Sequence, residues 1–377
     1  MSQTVGIITI HKINNYGSVL QAYALQTICE KLGYLAEIID YDFPNSFHSN
    51  NEYAAACDST PNEPTWIKLL YENALKRQHK RIGVFVAKRQ HLSERRYYSP
   101  EELLANPPKY EIYITGSDQL WNPRHCNGDP AFMLNFAPNE ALKISYAASI
   151  GADNIPYELR PLYEKLLSRY AHISVRENSG VEVIKNISGK IADVVLDPTL
   201  LLDSDQWNEI AYPKRLFKKK YVLCYLLNYT FNAFPYVDEL VRYFQKQTGY
   251  EIVRVARPPQ QLKLRHTHYR VGASPEEFLA LVRDAEMVLT TSFHGTAFAI
   301  NYGKPVFTVV KDKRLADDSR QVNLMHNMGL DDNVLSLNEG MPRVESSEYD
   351  TVSSQKRLEF LRCQSINWLK HALNTEF

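Results

Sequence analysis

The chain has no surplus of either charge: its 377 residues carry 43 lysines and arginines against 43 aspartates and glutamates. No global positive field exists to gather a polyanion, so nucleic acid is not an expected partner. Neutrality still leaves room for a local pocket around one phosphate or carboxylate. Paired cysteines are lacking as well. Cys29, Cys57, Cys126, Cys224 and Cys363 stand singly, with neither the spacing of a zinc site nor a disulfide ladder, which points to a reducing compartment and to no metal. No stretch approaches the roughly 18 apolar residues of a membrane span. Residues 1–10 have an apolar run but no basic start and no cleavage-like small residues, so a cytoplasmic chain is expected.

What is present is an ordinary globular composition, 44% hydrophobic and 23% charged, without low-complexity tracts. The length exceeds what one core usually supports, so two domains are expected. Residues 5–10 are apolar and β-branched; a polar loop follows over 11–17, then Leu20, Ala24, Ile28 and Leu32 at helical spacing, Gly33 as a stop, and a second buried strand over 36–41. That is a βαβ unit. Residues 45–108 read as polar loop and basic helix, and strands are expected over 111–115, 143–147, 172–175 and 191–196. The Asp197-Pro198 pair and the run Asp203-Ser204-Asp205 read as the exit from this domain. The alternation then repeats: strand 221–227, helix 237–247, strand 251–255, helix 275–284, strands 287–290 and 306–309, and a last helix over 353–373. The expected division is an N-terminal domain over 1–203, a second over 204–350, and a C-terminal helix in 351–377 packing back on the first. Tandem sheets of this kind place strand carboxyl ends and helix N-termini around one cleft.

Five places there can carry chemistry. The loop Asn14-Asn15-Tyr16-Gly17-Ser18 leads into a helix start, where free amides attract anions or sugar hydroxyls, although Asn15 and Ser18 serve equally as caps. Gly116-Ser117-Asp118-Gln119-Leu120-Trp121 offers a carboxylate for two hydroxyls and an indole for a sugar face, or a cap and a core tryptophan. Arg176 closes a buried strand, as an anion clamp or as the partner of Glu177 or another neighbour. Thr290-Thr291-Ser292-Phe293-His294-Gly295-Thr296 ends a strand and begins a helix. His294 there suits a general acid or base, and the amides of Ser292, Gly295 and Thr296 suit phosphate, whereas a lone histidine is also a common structural residue. Lys304 and Arg320 add cations that either face the cleft or lie in solvent. The basic run 214–220 reads as a solvated linker.

At these residues the chain resembles the polysaccharide pyruvyl transferase family, through GIITIHKINNYGSVLQAYALQ, ITGSDQLWN, ISYAASIG, ISVRE, LDPTLLL and TTSFHGTAFAINYGKPV, in that order, within residues 5–330. Several blocks in one order are more specific than any single motif. The resemblance implies an α/β chain of two Rossmann-like domains facing a cleft, arranged as in GT-B glycosyltransferases. It implies a bacterial enzyme of exopolysaccharide or capsule synthesis, with phosphoenolpyruvate as co-substrate and no cofactor or metal. Its arginine falls on Arg176 and its histidine on His294, taken as catalytic. Ser292, Gly295, Thr296, Lys304 and Arg320 complete the expected donor side. Asn15, Tyr16, Gly17, Ser117, Asp118 and Trp121 form the expected acceptor side. The acceptor would be a hexose, often lipid-linked, so the chain would visit the inner face of the membrane transiently. One departure is that Ser292 stands where many members carry an arginine, leaving Lys304 or Arg320 to supply that charge. Two rival readings are a GT-B-like glycosyltransferase using a nucleotide sugar and a non-catalytic sugar-binding relative.

Overall fold

The computed structural model describes residues 2–44, 65–227, 231–255, 266–315, 319–342 and 349–375; Cys57 and the first part, 45–64, of the stretch expected as polar loop and basic helix over 45–108 lie outside them. Two all-parallel sheets form, their central strands short apolar runs buried on both faces. The first contains β1 (Thr4–Ile8), β2 (Leu35–Tyr41), β3 (Leu92–Tyr97), β4 (Ile112–Thr115), β5 (Leu142–Ala148), β6 (His172–Val175) and β7 (Asp193–Val194), in the order β3-β2-β1-β4-β5-β6-β7. The second contains β8 (Tyr221–Tyr225), β9 (Glu251–Arg254), β10 (Thr267–Tyr269), β11 (Met287–Thr290), β12 (Val306–Val310) and β13 (Val334–Ser336), in the order β10-β9-β8-β11-β12-β13. The expected boundary at residue 204 falls in the connection between β7 and β8.

In each sheet the strand order reverses once, between β1 and β4 and between β8 and β11. Ligand crevices of open α/β sheets form outside the carboxyl ends of strands at such reversals. The helix Tyr16–Lys31 follows β1 and the helix Phe293–Asn301 follows β11, so both reversal points deliver a helix start to the junction. That junction is tightly packed. The Tyr16 hydroxyl donates to the Ala273 carbonyl at 2.9 Å, and its ring stacks on Phe278 with centroids 4.7 Å apart. Arg81, on the helix Thr65–Arg89, donates to the Gly272 carbonyl at 3.0 Å and pairs with Glu277 at 2.6 Å.

The C-terminal helix Thr351–Leu373 crosses back onto the first domain. Arg362 Nε donates to the Leu200 carbonyl at 2.7 Å, the Leu196 amide donates to Ser365 Oγ at 3.0 Å, and Trp368 Nε1 donates to Asp193 at 2.8 Å. No described helix is long and apolar enough to cross a membrane.

The edges depart from the sequence reading. The strand expected over 191–196 shrinks to the exposed pair Asp193–Val194, because the chain must turn to begin the short 3-10 helix Pro198–Leu200. β3, β10 and β13 were not expected; all three are terminal or short strands.

Candidate functional site

The site is organised by Asp197, which follows β7 and caps the 3-10 helix. Its Oδ1 accepts from the Thr199 amide at 2.9 Å and the Thr199 hydroxyl at 2.7 Å. Its Oδ2 accepts from Ser117 Oγ at 2.8 Å and Arg176 Nη1 at 2.9 Å, and His294 Nε2 lies 3.6 Å away. That last distance is too long for a hydrogen bond, so Nε2 is buried without a partner. Burial alone would raise the Asp197 carboxyl, but the charges of His294 and Arg176 and the Thr199 hydrogen bonds hold it well below the usual carboxylate range.

Arg176 emerges from the end of β6 with a side chain only 1% exposed. Its guanidinium lies over the Phe293 ring, 4.2 Å from the centroid. Nε and Nη2 are buried without hydrogen-bond partners, a costly state for a guanidinium that a bound anion would relieve. Glu177 is not its partner: Glu177 Oε1 accepts from Ser149 Oγ and from the amides of Ile150 and Gly151 at 2.8–3.1 Å.

Asp118 supplies a second carboxylate within electrostatic reach of His294. Its backbone sits at φ +85°, and neighbouring Ala147 sits at +53°. Both are left-handed conformations that cost non-glycine residues free energy and cluster at functional sites. Ser18 Oγ donates to Asp118 Oδ2 at 2.5 Å and the Gln119 amide to Oδ1 at 2.8 Å. Against the opposing effect of burial, the His294 and Arg176 charges and these hydrogen bonds keep the carboxyl low. The imidazole therefore lies among two carboxylates and a guanidinium at the junction.

Gly17 explains how the first domain comes so close. A Cβ built there would lie 2.1 Å from His294 Nδ1, so only glycine admits the helix start against the ring. Gly17→Ala is expected to cost about 1–3 kcal/mol by overpacking and to lower kcat at least several-fold, read from a thermal melt and steady-state rates. An unchanged melt and unchanged kcat would show that the contact is not needed.

The other expected residues divide. Ser117 is buried and holds Asp197 rather than facing ligand. Asn15 caps its helix, accepting from the Gly17 amide at 2.9 Å. Tyr16 is part of the junction core, so its expected acceptor contact is replaced by packing. Trp121 is fully enclosed, with Nε1 donating to the Phe132 carbonyl at 3.1 Å and its ring edge-on to Tyr170; no face is left to stack on a sugar. Ser292 caps the helix Phe293–Asn301. The amides expected to hold phosphate are already used: Ser292 donates to Thr290 Oγ1, Gly295 to Ser292 Oγ and Thr296 to the Ser292 carbonyl. Lys304 precedes β12 at the amino end of the sheet, alongside Glu286 and Asp284, so it does not replace the arginine absent at Ser292. Arg320 is buried in the helix Ser319–Met328, next to Gln321, whose side chain reaches the Thr291 carbonyl at 3.4 Å. Its helix follows β12, which places it at the carboxyl end of the second sheet.

Sequence reading missed two residues. Ser18 passed as a cap, and Asp197 as turn punctuation; the only signal was their position inside the motif blocks around Gly17 and Pro198. Beside the cluster lies a cavity of about 190 Å³, lined among others by Arg176, Asp197, Phe293, Leu324, Asn327 and Trp368.

A family model described as polysaccharide pyruvyl transferase matches residues 15–312. No curated protein matches the sequence. Among solved structures, S. aureus MnaA with UDP is similar at 10% identity and a TM-score of 0.52, over 99% of this chain and 97% of that one. The UDP-GlcNAc 2-epimerase of Neisseria meningitidis bound to UDP-GlcNAc is similar at 10% identity and 0.48, over 98% and 99%. That of Methanocaldococcus jannaschii with UDP-GlcNAc and UDP stands at 13% and 0.46, over 100% and 94%. At such identities the MnaA likeness concerns the fold alone, which is GT-B-like, with two Rossmann-like parallel-sheet domains.

Proposed function

Because the chain belongs to the polysaccharide pyruvyl transferase family, we propose that it moves the pyruvate unit of phosphoenolpyruvate onto two hydroxyls of a hexose, on a lipid-linked surface-polysaccharide precursor, as a ketal. The observation that carries this reading is the pair of unpartnered guanidinium nitrogens of Arg176 beside the carboxylate-flanked His294. The donor is a small anion with both a carboxylate and a phosphate, and a buried planar fork suits either group.

In the proposed reaction His294 gives a proton to C3 of phosphoenolpyruvate, which turns the methylene into a methyl group and leaves positive charge at C2. A sugar hydroxyl bonds to C2 and returns its proton to His294, the bond from C2 to the phosphate oxygen breaks, and the second hydroxyl bonds to C2 and closes the ring as its proton passes to the departing phosphate. Phosphate leaves. Asp118 favours the positive charge developing at C2, and Asp197 holds Arg176 in place beside it. Arg176, with Arg320 on the donor side, steadies the departing phosphate in place of the occupied helix amides. The acceptor enters from the first domain, past Asp118. Synthesis on a lipid carrier would bring the chain to the inner face of the membrane.

The fold likeness to UDP-bound MnaA motivates the rival reading, a nucleotide-sugar enzyme. A thermal melt separates them, since a ligand at about 100 times its Kd stabilises the native state by about 2.7 kcal/mol. Phosphoenolpyruvate is expected to raise Tm and UDP to leave it unchanged; a rise with UDP alone would reverse the ranking. Mass spectrometry of simple and lipid-linked glycosides incubated with phosphoenolpyruvate should then show the gain of one pyruvate as a ketal. Phosphoenolpyruvate binding with no product on any of these acceptors would favour a non-catalytic relative.

A further inference from the structure

The helix Thr65–Arg89 concentrates charge in a chain that is otherwise balanced. It holds seven lysines and arginines against one acid, Glu72, which leaves the remainder of the protein with an excess of acids. One face is fixed to the body of the molecule: Ala74, Gln78, Ile82 and Phe85 are buried, Phe85 meets the Tyr23 ring edge-on, and Arg81 pairs with Glu277. The opposite face is open. At 100° per residue, Leu69, Leu70, Lys76, Lys80, Val84 and Lys88 fall within an arc of about 120° that contains no acid. All six are exposed, and the three apolar ones strongly so, Leu69 at 58%, Leu70 at 62% and Val84 at 58%.

Exposed leucines beside lysines, held on a rigid helix about 38 Å long, are the pattern of a segment that lies in a membrane interface. Its apolar side chains enter the acyl boundary while lysine stems carry their ammonium groups to the headgroups. We propose that this outer face docks the protein on the surface of an anionic lipid bilayer. The partner is identified by charge: an acid-free basic face in a net-neutral protein is attracted to anionic headgroups and gains nothing from zwitterionic ones. The surface does not depend on the donor chemistry, and its test uses neither phosphoenolpyruvate nor acceptor, so it can fail while pyruvyl transfer stands.

The test is co-sedimentation of the full chain with vesicles of phosphatidylcholine alone and of phosphatidylcholine with 30 mol% phosphatidylglycerol. Binding is expected only to the anionic vesicles, and it should weaken as salt rises. The combined variant Lys76→Gln, Lys80→Gln, Lys88→Gln should lower the partition coefficient on the order of 100-fold, from roughly a factor of five per lysine. Its melt and its phosphate release from phosphoenolpyruvate should be unchanged. Leu69→Ser with Leu70→Ser should weaken the binding that survives at high salt. Equal sedimentation with both vesicle types, or wild-type binding by the triple lysine variant, would overturn the proposal. So would self-association in solution that the same substitutions abolish while vesicles bind nothing, which would assign the face to a protein contact.

Discussion

A His294→Ala enzyme is expected to turn over more slowly by a factor on the order of 100 or more, measured as phosphate released from phosphoenolpyruvate in the presence of acceptor. His294 is the imidazole that Asp197 and Asp118 both feel, so in the proposed reaction the proton for C3 comes from it. Binding should survive better than turnover. The Arg176 fork does not depend on the ring for its position, because Asp197 and the face of Phe293 hold it. The Tm rise with phosphoenolpyruvate should therefore persist in the variant. A folded His294→Ala enzyme with near-normal turnover would remove this residue from the mechanism, and loss of both turnover and donor binding would recast it as part of the Arg176 scaffold.

The sequence carried most of the fold because buried parallel strands are nearly continuous apolar runs. β4 and β5 are buried along their whole length, and helices with clear caps follow such runs. Edge strands escaped for the opposite reason. β3 reads LSERRY and exposes its three central charged residues, which protects an edge against pairing with another chain but erases the strand signal. β10 and β13 span three residues each, too few for any period to show.

In the site, the sequence identified residues whose chemistry is rare in a buried position, Arg176 and His294, but could not separate the two uses of an aromatic ring. Tyr16 and Trp121 fit a sugar platform and a core equally well on paper. Only the partners of their polar atoms, the Ala273 and Phe132 carbonyls, decide for packing. Asp197 went unrecognised because an aspartate before proline is a common turn signal. Its meaning comes from its neighbours, Thr199 beside it and Ser117, Arg176 and His294 from three distant parts of the chain. The same turn that caps the 3-10 helix aims the second oxygen at the junction.

Asp197→Asn is accordingly expected to be the most destabilising of the polar substitutions at the site, by about 3–5 kcal/mol near pH 7, because it leaves Arg176 buried without its counter-charge. Turnover should fall with it, since Arg176 loses the carboxylate that positions it. The loss carries a pH signature. Asp197 has a folded-state pKa below its unfolded value of about 3.9, so its contribution is complete above that pH and disappears as pH falls toward the folded-state pKa. The stability gap between wild type and Asp197→Asn should thus be constant from pH 7 to about pH 5. Below about pH 4 it should narrow by about 1.4 kcal/mol per pH unit. Asp118, also held low, remains in both proteins and so largely cancels in the comparison. Urea midpoints at pH 7, 5, 4 and 3 would trace the gap. A gap that stays constant down to pH 3 would mean that the carboxylate's charge is not what binds the two halves at this point, and that Asp197 acts only as the cap of its turn.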